Sequence, residues 1–232
     1  MKILSIDWDY FQDVETETLR ECYPEGVDNP TAISETIWKS KYALYGDRLS
    51  KVDLLQAEFQ SLLQLLSKQR DTCPIMIANS HRHIYDFLYC HLTDKVEITN
   101  IDMHHDIING NDKLDCGNWI RELLKDGVVA RSTLDNKFRS VLWIANPTSL
   151  DMYGLSRDYD ASLQKMLRCL CRKKSISELF SEQYDLIYLA RSDTWSPPHL
   201  DLYFCQLVAY MKSRFVNLSI EKGLDCPRTY LH

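Results

Sequence analysis

The chain has 232 residues, 45% of them hydrophobic and 26% charged, and its formal net charge at pH 7 is -6. These values predict one soluble domain with a substantial core, and they exclude a global basic field for binding nucleic acid. The sequence contains no glycine-rich phosphate loop, which argues against nucleotide chemistry.

The cysteines and the start of the chain bear on its compartment. None of the 8 cysteines forms a Cys-x-x-Cys pair, and several lie in apolar runs, where cysteine acts as a small hydrophobe. The sequence shows no signal peptide before Asp7 and no apolar stretch of membrane-spanning length. We therefore expect a reduced, cytoplasmic protein that does not associate with membranes.

Five short apolar runs, each followed by polar residues, predict β-strands in chain order. They cover residues 3–6, 74–78, 96–101, 141–145 and 186–190. Apolar residues at helical spacing predict helices between the strands. These helices cover residues 51–69, 84–91, 118–124, 160–171 and 202–215. Residues 12–50 fit this pattern least and are predicted to form an excursion from the core near the site.

Strands that alternate with helices are typical of an α/β protein. We predict a single domain over residues 1–232, a three-layer α/β/α sandwich with a mainly parallel sheet. Ligands of such sheets bind at the carboxyl ends of the strands, where polar residues follow the apolar runs of this chain. The sequence therefore places the functional site at that edge.

The densest group of candidate ligands follows the third predicted strand. Asp102, His104 and Asp106 alternate with Met103 and His105. Alternate residues near the end of a strand point to the same side, so the first three can converge on one point. Oxygen and nitrogen donors in this arrangement predict a metal site. The alternative is a polar loop that contains a histidine pair.

Two other strand ends extend this group. Asp7 and Asp9 follow the first strand and are expected to face the same way, and His81 follows the second strand. Each has an alternative role, because an aspartate can cap a following helix and a histidine can be an ordinary polar residue. His83 competes with His81 as the ligand, but it falls in the following helix, so His81 is preferred.

The predicted set of four carboxylates and two imidazoles indicates two metal ions. Four negative charges balance two divalent cations. Oxygen-rich ligation without thiolate favours manganese over zinc, with iron or cobalt as alternatives. Two such ions about 3.5–4 Å apart can activate water near neutral pH. We therefore expect two Mn²⁺ ions.

These motifs resemble those of the ureohydrolase family, the arginases and agmatinases. Residues 102–106 match the family's Asp-x-His-x-Asp motif in full, and residues 5–9 resemble its strand that ends in Asp-x-Asp. Residues 79–81 stand where the family has a Gly-Gly-Asp-His segment, and they keep only the histidine. The resemblance spans residues 3 to about 201 and implies an arginase-like fold with a binuclear manganese site.

The resemblance also implies roles in substrate binding and catalysis. Asn109 and Asn118 resemble the asparagines with which arginases hold the amino-acid end of the substrate. Asp193 is the candidate partner of the guanidinium group, and its alternative role is in a turn or a helix cap. His105 is the candidate proton donor, and Asp106 is expected both to bind metal and to orient the attacking water.

Three features depart from the family's pattern. The Asp-x-Asp strand opens this chain but comes late in arginases, a permutation that a parallel sheet tolerates if the strands remain neighbours. Ile120 replaces a histidine that shuttles protons, so His105 or His83 would take over that task. Residues 185–190 lack the glutamate that reads the guanidinium group, which is why Asp193 is the candidate.

The stretches 3–11 and 192–198 resemble a divergent branch of this superfamily whose known members include peptide arginases. The resemblance implies manganese-dependent hydrolysis of arginine side chains in a precursor peptide, giving ornithine and urea during maturation of a ribosomally made peptide product. An arginine-containing peptide is therefore the expected partner, and the excursion at residues 12–50 is expected to help hold it.

Other classes stay open at this point. One is an arginase-type or agmatinase-type hydrolase of a small guanidino compound. An Asp-x-Asp phosphatase fits residues 3–9, but it leaves residues 102–106 unexplained and expects a small hydroxyl residue where Tyr10 and Phe11 stand. A zinc deacetylase of similar fold would use a single ion. A non-catalytic binding module would not need the metal ligands.

Overall fold

The structure is a computed structural model that describes residues 1–24, 29–91, 96–107, 113–126, 141–153, 161, 164, 170–173, 175–224 and 226–228. The strands in these residues are β1 (Lys2–Asp7), β2 (Gln12–Asp13), β3 (Asp53–Leu54), β4 (Ile75–Ala78), β5 (Glu97–Asp102), β6 (Val141–Ala145), β7 (Cys171–Lys173), β8 (Leu186–Ala190) and β9 (Leu218–Ile220). The helices are α1 (Thr16–Cys22), α2 (Thr31–Leu49), α3 (Gln56–Ser67), α4 (His83–His91), α5 (Trp119–Lys125), α6 (Pro147–Tyr153) and α7 (Asp201–Arg214). Short 3-10 helices cover Trp8–Phe11, Ile176–Leu179 and Pro198–Leu200.

Seven strands form one sheet in the order β7-β6-β5-β1-β8-β4-β9. Every pair of neighbours in this sheet is parallel, whereas β2 and β3 form a separate antiparallel pair. The predicted α/β class and mainly parallel sheet are thus confirmed, and all five predicted strands are present. β7 and β9 are short edge strands of three residues each, too short to give a periodic sequence pattern.

The sheet separates two hydrophobic cores, because successive residues of a strand point to opposite faces. On one face, Leu4 and Ile6 of β1 lie in a cluster with residues of α3 and α7. On the other face, Ile3 of β1 and Tyr188 of β8 lie in a cluster with residues of α4 and α5. Helices on both faces are compatible with a three-layer α/β/α arrangement.

The predicted helices differ from the observed ones at two places. The helix expected at residues 51–69 begins only at Gln56, because Asp53 and Leu54 pair with β2 instead. The helix expected at residues 160–171 lies mostly outside the described residues, and Cys171 begins β7 rather than ending a helix. The other three predicted helices correspond to α4, α5 and α7 within one residue at each end.

The excursion at residues 12–50 contains β2, α1 and α2 and packs against the edge that carries the predicted site. Its buried Trp38 and Tyr23 lie in a third hydrophobic cluster with Met103, a residue of the Asp-x-His-x-Asp motif. Trp38 Nε1 also donates a hydrogen bond to the main-chain oxygen of Asp193 at 2.8 Å. The excursion therefore covers the loops on which the predicted ligands lie.

The cysteines are not all reduced. Cys205 of α7 forms a disulfide with Cys226, so the expectation of a fully reduced chain is wrong for this pair. The pairing arises because the C-terminal segment returns to α7, where Arg228 forms an ion pair with Asp201. Cys22 and Cys73 are buried free thiols. Among the described residues, no helix combines the length and the apolar character that crossing a membrane requires.

Candidate metal centre

Four adjacent strands bring the predicted ligands to one edge of the sheet. β1 lies between β5 and β8, and β8 lies between β1 and β4. The pairing register sets Ser5 beside Asn100, so the carboxyl ends of β1 and β5 are level. Asp7 and Asp102 therefore leave their strands side by side, although 95 positions separate them in the sequence numbering, from 7 to 102.

The first ligand group consists of Asp7, His81, Asp102 and Asp106. His81 Nδ1 lies 3.2 Å from Asp7 Oδ2, 3.1 Å from Asp102 Oδ2 and 3.2 Å from an Asp106 carboxylate oxygen. All four side chains are buried. Donor atoms at neighbouring corners of an octahedron are about 3.0 Å apart when each lies about 2.1 Å from a divalent ion. The spacing of Asp7, His81 and Asp102 therefore fits one ion, and Asp106 lies beside them.

The second ligand group consists of Asp9, Asp102 and His104. His104 Nδ1 lies 3.0 Å from Asp9 Oδ2 and 3.8 Å from Asp102 Oδ1. The two oxygens of Asp102 thus face different groups, Oδ2 the first and Oδ1 the second. Asp7, His81 and Asp102 have donor atoms close enough to share an ion, as do Asp9, Asp102 and His104, so the carboxylate of Asp102 belongs to both sets.

Two atoms of this cluster are buried and make no hydrogen bond. They are His81 Nδ1 in the first group and Asp9 Oδ2 in the second. A buried polar atom without a partner costs about 1–3 kcal/mol, and such atoms are rare in folded proteins. Each of the two atoms lies near charged groups of its own ligand group but forms no hydrogen bond, and a cation within the group would coordinate it. The donor set therefore fits metal binding.

The shifted pKa values of the cluster also fit metal binding. Burial and the charges of Asp7 and Asp102 raise the pKa of Asp9 to about 8, and burial with neighbouring carboxylates raises the pKa of Asp102 as well. Burial lowers the pKa of His81 and of His104, but the surrounding carboxylates outweigh it and raise both pKa values well above 6.5. Protons thus occupy this cluster where metal ions are absent, and binding an ion must release them.

Two polar residues inside the strands hold ligands in place, and the sequence analysis missed both. Ser5 Oγ lies 2.5 Å from His81 Nε2, so the imidazole is held with its Nδ1 towards the carboxylates. Asn100 Nδ2 donates a hydrogen bond to Asp102 Oδ2 at 3.0 Å. Each lies two positions before an aspartate ligand, Asp7 or Asp102, so the alternation of a strand is the signal that could have found them.

Trp119 and Ser192 hold two further ligands from loops and helices distant in sequence. Trp119 Nε1 donates to Asp106 Oδ2 at 2.5 Å, and Ser192 Oγ donates to Asp7 Oδ2 at 2.6 Å. Among the described residues, Asp106 and Ser192 are the non-glycine residues with positive φ, 52° in each. This backbone conformation is unfavourable for L-residues, and strain of this kind concentrates at functional sites.

Asp7 and Asp9 do not face the same way from one strand, so that expectation is wrong. β1 ends at Asp7, and Asp9 lies in the 3-10 helix Trp8–Phe11. Asp7 Oδ1 caps this helix by accepting the N–H of Asp9 at 3.2 Å, while Oδ2 faces His81. Asp7 therefore combines the capping role with the ligand position, and the tight turn sends Asp9 to the second ligand group.

The two other histidines considered at the site have different surroundings. His105 is buried, its Nδ1 accepts the N–H of Ile107 at 3.3 Å, and its ring packs edge-on against Trp143. His83 Nδ1 lies 3.5 Å from Glu221 Oε1 and outside both ligand groups. The preference for His81 over His83 as the ligand is therefore supported.

The predicted substrate residues are less well supported than the predicted metal ligands. Asn109 lies outside the described residues. Asn118 precedes α5, and its side chain bonds within its own loop: Oδ1 accepts the N–H of Asp115 at 2.9 Å, and Nδ2 donates to the oxygen of Lys113 at 2.8 Å. Asn118 thus shapes the loop before α5, which does not support its predicted contact with substrate.

Asp193 is buried and already bound to guanidinium groups of the protein itself. Arg191 donates from Nε to Asp193 Oδ1 at 2.5 Å and from a terminal nitrogen to Oδ2 at 3.0 Å. Arg228 lies 3.6 Å from the same carboxylate. Because these two arginines neutralise the carboxylate and no part of Asp193 is exposed, the structure does not support its predicted role as the partner of a substrate guanidinium.

The structure thus brings all six predicted metal ligands together at the carboxyl edge of the sheet and assigns the predicted substrate residues Asn118 and Asp193 to contacts within the protein. The functional argument rests on this geometry. Comparisons of the chain with family models, with curated proteins and with solved structures found no match.

Proposed function

We propose that the chain is a manganese-dependent hydrolase that acts on the guanidinium group of arginine side chains in a precursor peptide, giving ornithine and urea. The observation that carries this proposal is the Asp102 carboxylate, whose two oxygens face two ligand groups. Such sharing supports two ions rather than one, and a pair of ions suits hydrolysis of an unreactive C–N bond. Oxygen and imidazole donors without sulfur favour manganese, with iron or cobalt as alternatives.

The first ligand group would hold one ion and the second ligand group the other, with Asp102 in common. When bound there, the two ions supply a deprotonated water near neutral pH as the nucleophile. The protein orients the carboxylates that surround this water. Trp119 and Asn100 fix the Asp106 carboxylate, which would direct the attacking water, and Ser192 fixes Asp7.

The proposed reaction balances without a further co-reactant. Water adds to the guanidinium carbon, the bond from that carbon to Nε breaks, and both protons of the water end on the leaving amine. The products are urea and the ammonium form of ornithine. His105 is the proposed proton donor: its Nδ1 accepts a backbone N–H, so the neutral ring carries its proton on Nε2.

The geometry supports this reaction over the hydrolases of other classes. A deacetylase with a single zinc would leave one ligand group without a function. An Asp-x-Asp phosphatase would need Asp7 as a free nucleophile, but Asp7 Oδ2 accepts a hydrogen bond from Ser192 and Oδ1 caps the following 3-10 helix.

A cleft in the excursion is the place that we propose for the remainder of a peptide substrate. It has a volume of about 530 Å³ and is lined by residues of the excursion and of the segment that follows α2. Its lining is Asp13, Val14, Glu15, Glu17, Thr18, Arg48, Lys51 and Val52. Three carboxylates beside two cationic groups suit an extended chain that carries basic side chains.

The test compares an arginine-containing peptide with free arginine on manganese-loaded protein. We expect urea release and a mass loss of one cyanamide unit from the peptide, and little reaction with free arginine. Asp102→Asn should abolish both signals, whereas Asp86→Asn, the same change at an exposed position of α4, should leave them unchanged. An unaltered peptide with manganese demonstrably bound would contradict the proposal. Equal turnover of free arginine would instead favour a hydrolase of small guanidino compounds.

A further inference from the structure

His104 is the most exposed of the six candidate ligands. Its side chain is 14% exposed, whereas the side chains of the other five ligands are at most 5% exposed. Two aromatic rings border this imidazole: the ring centroid of Tyr153 lies 4.9 Å from it and that of Trp195 lies 5.2 Å from it. Both aromatic residues are themselves partly exposed, so they lie at the most exposed side of the ligand cluster.

The two rings come from separate elements that converge beside His104. Tyr153 is the last residue of α6 and packs against two of the hydrophobic clusters. Trp195 lies in the turn after β8, where its N–H donates to the oxygen of Ser192 at 2.8 Å. Its own main-chain oxygen accepts a hydrogen bond from Gln12 at 2.9 Å. The rings are thus attached to a fixed backbone and present aromatic surface beside His104.

Among the residues that the structure describes, the carboxylates at the site have other partners, which leaves the recognition of a cation to these rings. Asp7, Asp9, Asp102 and Asp106 are engaged in the ligand groups, and Asp193 is paired with arginines of the protein. Four carboxylates balance two divalent ions, so a guanidinium group meets no net repulsion at the cluster. The face of an aromatic ring attracts a planar, weakly hydrated cation, and this attraction strengthens as water is excluded.

We infer that Tyr153 and Trp195 form a cation-binding aromatic mouth, which receives the planar guanidinium group of a peptidyl arginine against its ring faces. This inference rests on the proposed function and names the residues that give it specificity. The aromatic mouth replaces the acidic partner that the sequence analysis assigned to Asp193. It selects for delocalised positive charge, so a neutral side chain of the same shape should enter poorly.

The test measures binding of two isosteric peptides, one with arginine and one with citrulline, which is neutral. Calorimetry in the cold on manganese-loaded protein gives both affinities, and urea is assayed in the same samples. We expect tighter binding of the arginine peptide, and an affinity about 2- to 30-fold lower in Trp195→Leu and in Tyr153→Leu, with that of the citrulline peptide unchanged. Trp195→Phe should retain most of the preference. Tyr89→Leu, which removes an exposed ring of α4, is the matched control.

The outcomes separate this inference from the proposed function. The aromatic mouth is overturned if the two peptides bind equally, even if urea is released. It is also overturned if both leucine variants, at unchanged manganese content, still bind the arginine peptide more tightly than the citrulline peptide. A preference for arginine that disappears in the leucine variants but not in Tyr89→Leu supports it. If no urea forms in that case, the proposed hydrolysis fails while the aromatic mouth stands.

Discussion

At the scale of single residues, Asp102 differs from the other ligands because its two oxygens serve both ligand groups. Asp9 and His81 each face only one group. The consequences of removing a ligand should therefore depend on which group it belongs to.

We expect Asp9→Asn and His81→Asn each to bind one manganese ion per chain, and Asp102→Asn to bind both ions weakly. Removing a ligand from one ion leaves the donors of the other in place, whereas the bridging carboxylate is common to both. Metal analysis after dialysis counts the ions, and electron paramagnetic resonance distinguishes a coupled pair from an isolated ion. Loss of both ions in Asp9→Asn, with an unchanged circular dichroism spectrum, would contradict the division into two groups.

Ser192 offers a second test at the residue scale, because its hydroxyl holds Asp7 and its φ is positive. Ser192→Ala and Ser192→Gly both remove the hydroxyl, and we expect each to lower manganese affinity about 10- to 100-fold. Only glycine accepts positive φ without strain, so the glycine variant should be more stable than the alanine variant by about 1 kcal/mol. Titration with Mn²⁺ and urea unfolding measure the two effects, and equal stabilities would argue against strain at this position.

At the scale of elements, Trp38 is the largest buried side chain that attaches α2 to the site. Trp38 is buried in the third cluster and donates to the oxygen of Asp193, whereas Leu44 on the same helix is 72% exposed. Burying a large aromatic side chain and bonding its N–H stabilises the docking of this helix over the motif loops.

We expect Trp38→Ala to lower the free energy of unfolding by about 3–5 kcal/mol. Trp38→Phe should lower it by about 1 kcal/mol, because it mainly removes the hydrogen bond. Leu44→Ala is the control and should change the free energy of unfolding little, because the Leu44 side chain is mostly exposed in the folded protein. Urea denaturation gives the three values. Similar losses in Trp38→Ala and Leu44→Ala would show that α2 is not attached through Trp38.

The elements also show how far the sequence could be used to predict the fold. Apolar runs followed by polar residues located the five central strands and the edge that carries the ligands, because burial on both faces leaves a clear local pattern. α2 could not be predicted in this way, since its buried residues are few and include Ser34. It is held by tertiary contacts rather than by a hydrophobic stripe.

The same reasoning explains the outcome for the site residues. The convergence of the six candidate ligands could be predicted because each follows a strand end or alternates with another candidate. The pairing of Asp193 with arginines of the protein could not be predicted, because it depends in part on Arg228, which lies much later in the sequence. A side chain is available to a substrate only if nothing else in the fold has paired with it, and that is a property of the tertiary structure.

At the scale of the whole molecule, the raised pKa values of the cluster predict how stability depends on pH. Asp9 has a pKa of about 8 in the folded protein against an ordinary value of 3.8, and the pKa values of Asp102, His81 and His104 are also raised. The metal-free folded state therefore holds more protons than the unfolded chain across this range. Its free energy of unfolding should fall as the pH rises from about 4 to about 8.

Manganese should reverse this trend, because the ions replace protons that the ligands would otherwise retain. We expect the difference in thermal midpoint between manganese-loaded and metal-free protein to grow as the pH is raised towards 8. Scanning calorimetry at a series of pH values measures it. In Asp9→Asn the metal-free protein should lose part of its pH dependence, and a midpoint difference that shrinks with rising pH would contradict the assignment of these ligands.

The place of β8 between β1 and β4 has a consequence for the order of synthesis. All six ligands have left the ribosome before β8 is made, since the last of them is Asp106 and β8 begins at Leu186. Until then, the strands that carry Asp7 and His81 lack the neighbour that sets their spacing, and Ser192 is not there to hold Asp7. If the cluster binds metal as proposed, the nascent chain thus carries the candidate donors before their arrangement is complete, and we expect metal binding to follow the synthesis of β8.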